Sequence, residues 1–195
     1  MSSEKINAIV SASIEVKQKL LADKKLLNTV SEVVEVWVKC LTAQGKILFC
    51  GNGGSAADAQ HIAAELSGRF YFDREPLHAE ALHVNTSYLT AVANDYSYDE
   101  VYSRMVRAQG KKGDVLVGIS TSGNSKNVVR AMEQAQKQGM IVIAMTGEKG
   151  GKMRECCDYL LNVPSNDTPR IQECHIMVGH ILCELTEEKL FSKNA

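Results

Sequence analysis

The sequence predicts an α/β fold: a doubly wound, mainly parallel five-stranded sheet flanked by helices, with a pair of helices on its N-terminal side. Three observations predict it. Five short runs are apolar throughout rather than alternating, as strands covered on both faces of a parallel sheet must be. Helix-like segments separate them, and the joints are rich in glycine and serine.

Residues 1–44 carry helical periodicity in two blocks, around 6–21 and 27–43. In the second, Val30, Val33, Val34, Trp37 and Leu41 recur at the three-and-four spacing of one apolar face. Strands are expected at 46–50, 81–84, 114–119, 141–145 and 159–163. Helices are expected at 56–66, 99–108, 126–138 and 152–157, with a longer one from 170 to 189. The 195 residues suit a single domain, 1–195, since domains run to roughly 100–200 residues. Within it, 1–44 supply the helical pair and 45–195 the α/β core.

Composition narrows the function classes. Hydrophobic residues make up 45% and charged residues 23%, which excludes a disordered chain. Lys and Arg number 22 against 23 Asp and Glu, so there is no basic excess of the kind nucleic-acid binders carry. No stretch approaches the roughly 20 apolar residues that span a bilayer, and the first residues lack the pattern of a signal peptide. Six cysteines contain no CxxC pair and read as buried thiols rather than a disulfide framework. A cytoplasmic protein with no nucleic-acid or membrane partner is expected.

Ligands of open α/β sheets bind beyond the carboxyl ends of the strands. The loop after the first strand reads Gly51-Asn52-Gly53-Gly54-Ser55; its glycines permit a sharp turn, and the helix start supplies free N–H groups. It formally fits the G-x-G-x-x-A dinucleotide motif. That motif also wants an acidic residue about 20 positions on, at a strand end. Asp73 is near that spacing, but 71–76 reads as a loop, which makes the dinucleotide site the weaker reading. After the third strand, Ser120, Thr121, Ser122 and Ser125 surround Gly123 at a helix start. Backbone N–H groups, hydroxyls and the helix dipole there make a cradle for a phosphate dianion. An N-cap would explain one hydroxyl, not four in six residues.

His61 and Glu65, at i and i+4, share a helix face about 6 Å apart along the axis. A carboxylate beside an imidazole suits metal ligation or proton transfer. An isolated pair of this kind is as readily a solvated polar face, but this one follows the glycine loop. Gln172, His175 and His180 lie on the last helix. A histidine among Ile176, Met177, Val178, Ile181 and Leu182 is by default a hydrogen-bonded core residue, and Gln172 suits the surface equally well.

In this order and spacing the pieces resemble the sugar isomerase (SIS) domain family, in particular its branch acting on heptose phosphates, over essentially the whole chain. The resemblance is carried by 50–55, Gln60-His61 with Glu65, Asn94-Asp95, 118–125, 147–152, and 170–173 with His180. It implies an SIS-type fold and an aldose–ketose isomerase interconverting sedoheptulose 7-phosphate and D-glycero-D-manno-heptose 7-phosphate. That reaction lies early in the synthesis of activated heptose for lipopolysaccharide or other surface glycans. The resemblance also implies a homotetramer with one Zn2+ per subunit, held by His61, Glu65, Gln172 and His180. Glu65 and His180 are implied as the catalytic pair. Implied substrate contacts are Asn52, Gly53, Gly54, Glu65, Asn94, Asp95, Ser120, Thr121, Ser122, Ser125 and Gln172. The chain departs from the pattern at Pro169, where some members carry an acidic residue.

Two inferences follow. A lone pair given to zinc is not free to take a proton, so Glu65 and His180 cannot both be ordinary ligands and the base–acid pair. Eight residues separate Gln172 from His180, about 12 Å of rise and roughly 80° of rotation, so a neighbouring subunit is expected to supply at least one of them. Two other readings stand beside the heptose isomerase. One is an isomerase of another sugar phosphate. The other is a non-catalytic SIS protein that binds a replication initiator; that relative lacks the carboxylate and histidine present here at Glu65 and His180.

Overall fold

The computed structural model describes residues 2–192; Met1 and residues 193–195, included in the expected single domain, lie outside the described residues. Strands β1 (Ile47–Gly51), β2 (Ala79–Ala81), β3 (Val115–Ser120), β4 (Ile141–Thr146) and β5 (Tyr159–Asn162) form one sheet in the order β2-β1-β3-β4-β5. Every pairing is parallel, so the sheet is wholly rather than mainly parallel.

The strand period of two divides the core in half. Ile47, Phe49, Val115, Val117, Ile119, Ile143 and Met145 face a layer made by α1 (Ser3–Ala22), α2 (Lys24–Thr42), α3 (Gly54–Ser67) and α7 (Thr168–Phe191). Leu48, Cys50, Leu116, Val142 and Ala144 face α4 (Thr86–Asp95), α5 (Val101–Gln109) and α6 (Lys126–Lys137). The two N-terminal helices are unequal. Helix α2 buries seven residues, and Trp37 meets Phe49 edge-on with ring centroids 5.7 Å apart. Helix α1 buries only Val16 and Leu20.

The elements differ from expectation in three places. The expected strand at 81–84 is instead Ala79–Ala81: β2 is an edge strand whose register follows β1, and the chain turns away once Leu82 N–H has reached the Phe49 carbonyl. The expected helices at 99–108 and 152–157 begin or run as 3-10 turns, at Tyr98–Glu100 and Gly151–Cys156. Helix α4 was not anticipated. Its residues Thr86, Ser87 and Thr90 favour turns, and the start signal is Asn85, whose side chain accepts from Tyr88 N–H at 3.0 Å.

Strand order reverses between β1 and β3. Ligand crevices of open α/β sheets form at such a reversal, and the two loops bordering it are those singled out in the sequence. All six cysteines are free, five of them buried.

Candidate active site

The glycine loop needs glycine at position 53, where φ is +57° and ψ −122°. Asn52 is fixed by its neighbours: its side-chain amide exchanges two 2.9 Å hydrogen bonds with that of Asn127, in the first turn of α6, and its oxygen accepts from the Tyr98 hydroxyl at 3.2 Å. The loops after β1 and β3 are thereby tied side by side. Tyr102 adds a hydrogen bond to the Gly51 carbonyl. Asn127, Tyr98 and Tyr102 carry no sequence signal of this role, being contacts between distant segments. Asn94 and Asp95 stand exposed in the last turn of α4, joined to each other by a 3.0 Å hydrogen bond.

Ser125 is the N-cap residue of α6, yet its hydroxyl caps nothing. It lies 2.9 Å from the hydroxyl of Ser120, which is 3.4 Å from that of Ser122. These hydroxyls are spent on one another at a helix start, an arrangement that an anion readily replaces. Beside them a cleft of about 250 Å³ is lined by Thr121, Ser122, Gly147, Glu148, Lys149, Asn166, Thr168 and Ile171, so a carboxylate stands beside the lysine. The serine loop thus has a lysine near it, although the sequence reading invoked none. Pro169 occupies the first turn of α7, where its missing N–H costs no helical hydrogen bond.

His61, Glu65 and His180 come together within one chain, their ligating atoms all within 4.8 Å of one another. His61 Nε2 is 2.9 Å from Glu65 Oε1 and 3.3 Å from His180 Nε2. Close helix packing makes this possible: a Cβ on Gly179 would lie 2.5 Å from Ile62 Cδ1, so α7 approaches α3 closely at the residues adjoining the two histidines. A single proton on His61 Nε2 does not serve both contacts, and the half-exposed ring leaves room for water or an ion to do so. A neutral imidazole nitrogen is donor or acceptor, not both. A proton on His61 Nε2 serves Glu65 and leaves no lone pair for His180; without it, that lone pair faces a carboxylate oxygen. The three groups fit a divalent cation, which would satisfy both contacts at once: imidazole nitrogens bound at about 2.0–2.1 Å in tetrahedral geometry stand about 3.3 Å apart.

Gln172 is not part of this cluster in its own chain. Its side chain lies against Gly54, 2.7 Å from where a Cβ would be, and Gly54 precedes His61 by seven residues, about 10 Å along α3. His175 is a core residue, 1% exposed, with Nε2 3.1 Å from the Thr146 carbonyl; burial lowers its pKa to about 4. The sequence reading passed over Asp58, one turn before His61. Its Oδ2 is buried without a hydrogen-bond partner, and burial raises its pKa against the pull of His61 and His180.

The SIS domain family model matches residues 12–147. A phosphoheptose isomerase of Aneurinibacillus thermoaerophilus is 50% identical over 186 residues, covering 95% of this chain and 94% of its own. Among solved structures, a phosphoheptose isomerase from Neisseria gonorrhoeae superposes with a TM-score of 0.88 at 49% identity, covering 95% of this chain and 98% of that one. Another, from Francisella tularensis, gives 0.91 at 37% identity and covers 96% and 100%.

Proposed function

The chain belongs to the SIS domain family, among its phosphoheptose isomerases, and from that premise we infer an aldose–ketose isomerase that interconverts sedoheptulose 7-phosphate and D-glycero-D-manno-heptose 7-phosphate in heptose synthesis. The single observation that carries the chemistry is the convergence of His61, Glu65 and His180 where α3 meets α7.

The serine loop holds the substrate phosphate: Ser120, Thr121, Ser122 and Ser125 donate hydroxyls, and the α6 N-terminus favours the charge. Asn52, Gly53, Gly54, Asn94 and Asp95 line the path of the sugar. His61, Glu65 and His180 hold one Zn2+, which when bound supplies Lewis acidity toward a carbonyl oxygen. Isomerisation moves a proton between C1 and C2. Glu65 takes it as base; its Oε1 faces His61, whereas Oε2 enters no hydrogen bond among the described residues. One carboxylate oxygen can therefore face the metal while the other works, which removes the lone-pair conflict for Glu65. His180, whose Nε2 faces His61 in the cluster, acts as the partner acid toward the substrate oxygens through its Nδ1–H.

The enzyme works as a homotetramer in the cytoplasm, where its free thiols remain reduced. Two features support assembly. Ile6, Ile9, Val10 and Ile14 form a stripe on α1, each at least 50% exposed, of the kind that marks association surfaces. Gln172 lies too far along α7 to join its own chain's cluster, so a second copy supplies it.

A coupled assay with sedoheptulose 7-phosphate tests the reading. The Zn2+-loaded protein is expected to form the aldoheptose phosphate, and prior chelation to abolish turnover until Zn2+ is restored. No conversion by the loaded protein would overturn it.

A further inference from the structure

We propose that Arg74 and Glu187 are positioning residues: a buried clamp that fixes helix α3, bearing His61 and Glu65, against helix α7, bearing His180. The proposal rests on the metal reading above.

Arg74 and Glu187 are 113 residues apart, and their side chains are 2% and 1% exposed. Arg74 Nε donates to Glu187 Oε1 at 2.8 Å. The rest of its guanidinium closes the C-terminal end of α3: Nη2 reaches the Glu65 carbonyl at 3.0 Å, and Nη1 the Leu66 and Gly68 carbonyls at 2.8 and 3.1 Å. These carbonyls lack helical partners, and a cation at that end also opposes the helix dipole. Arg69, which directly follows Gly68, is exposed.

Glu187 gathers the chain that follows α3. Its Oε1 accepts from Phe70 N–H at 3.0 Å, and its Oε2 from Tyr71 and Phe72 N–H at 2.6 and 3.0 Å. Phe70, so placed, lays its ring 5.8 Å from that of His180. Glu187 itself lies seven residues beyond His180, about 10 Å along α7 and within roughly 20° of the same azimuth. One pair therefore binds the backbone of Glu65, the aromatic neighbour of His180 and the helix carrying His180. Buried ion pairs are a poor source of stability, because desolvating both charges offsets their attraction. What this pair adds is direction. Nearly every donor and acceptor it owns points at a segment adjoining the cluster.

The test uses the full-length, assembled protein stripped of metal, with Zn2+ affinity read by chelator competition and the Co2+ absorption band by titration. Four proteins are compared at a temperature where circular dichroism shows all of them folded: wild type, Glu187→Gln, His180→Gln, and Asp114→Asn as a remote buried-ion-pair control. Glu187→Gln is expected to bind Zn2+ about 10–100-fold more weakly, as loss of an outer-shell partner does, and to change the Co2+ band, while Asp114→Asn matches wild type. Wild-type affinity in Glu187→Gln beside a large loss in His180→Gln would overturn the clamp and leave the metal reading standing. Equal losses in Glu187→Gln and Asp114→Asn would also overturn it, since the readout would then follow stability. Wild-type affinity in His180→Gln would sink the metal reading and the clamp with it. Should Glu187→Gln fail to fold, Arg74→Lys, which keeps the charge and loses the planar fork, is judged by the same outcomes.

Discussion

Two regions of the molecule treat their polar groups in opposite ways. At the amino end of the sheet, Asp114 is 3% exposed and fully matched: Oδ1 accepts from Lys46 N–H at 3.1 Å, and Oδ2 from Lys46 Nζ at 2.6 Å and Lys111 N–H at 2.8 Å. Partway back along α3 and α7, the half-exposed His61 has Nε2 facing two partners with one proton or lone pair to offer, Asp58 Oδ2 has no partner among the described residues, and in the loop after β3 the Ser120 and Ser125 hydroxyls bond only within that loop. Groups left so are open to water or to a ligand. The matched region is architecture, and the unmatched one is where the proposed chemistry can be tested.

Substitutions in the two regions should therefore separate function from stability. Glu65→Gln is expected to lower kcat by about 10²–10⁴-fold, the usual contribution of a general base, with unfolding free energy within about 0.5 kcal/mol of wild type. Near-normal turnover with Zn2+ bound would remove Glu65 from the base role. Asp114→Asn should do the reverse, costing about 3 kcal/mol by stranding Lys46 while leaving kcat unchanged in assays on the folded protein; urea titration measures the loss.

His175 sharpens the contrast through pH. Its folded pKa of about 4 lies below the ordinary 6.5, so between those values the unfolded chain binds a proton that the folded chain refuses. Stability should fall as pH drops from 6.5 toward 4, by at most about 3 kcal/mol. His175→Gln should flatten that stretch of a urea-midpoint profile; an unchanged slope would assign it to other groups. The smallest effect concerns the phosphate loop. Ser120→Ala combined with Ser125→Ala should raise KM for the sugar phosphate about tenfold or more, as loss of hydrogen bonds to a charged group does. Its effect on kcat should be smaller, and an unchanged KM would place the phosphate elsewhere.

Much of this was legible in the sequence because parallel strands are apolar along their whole length and their loops concentrate glycine and serine. The pair His61 and Glu65 was legible through its i, i+4 spacing. Its convergence with His180 was legible only through the family resemblance, since a histidine within an apolar helix usually means packing, as His175 in fact does. Helix α4 hid behind Thr86, Ser87 and Thr90, and β2 lay two residues from its expected place because only one neighbour sets its register. Asn127, Asp58, Arg74 and Glu187 left no local trace. Each matters through a partner that only folding brings near.

Gly179 sets how near α7 comes to α3. Any side chain there would press on Ile62 and drive the two helices apart. His61 adjoins Ile62 and His180 adjoins Gly179, so a larger residue at 179 would spread the two imidazoles without touching either of them.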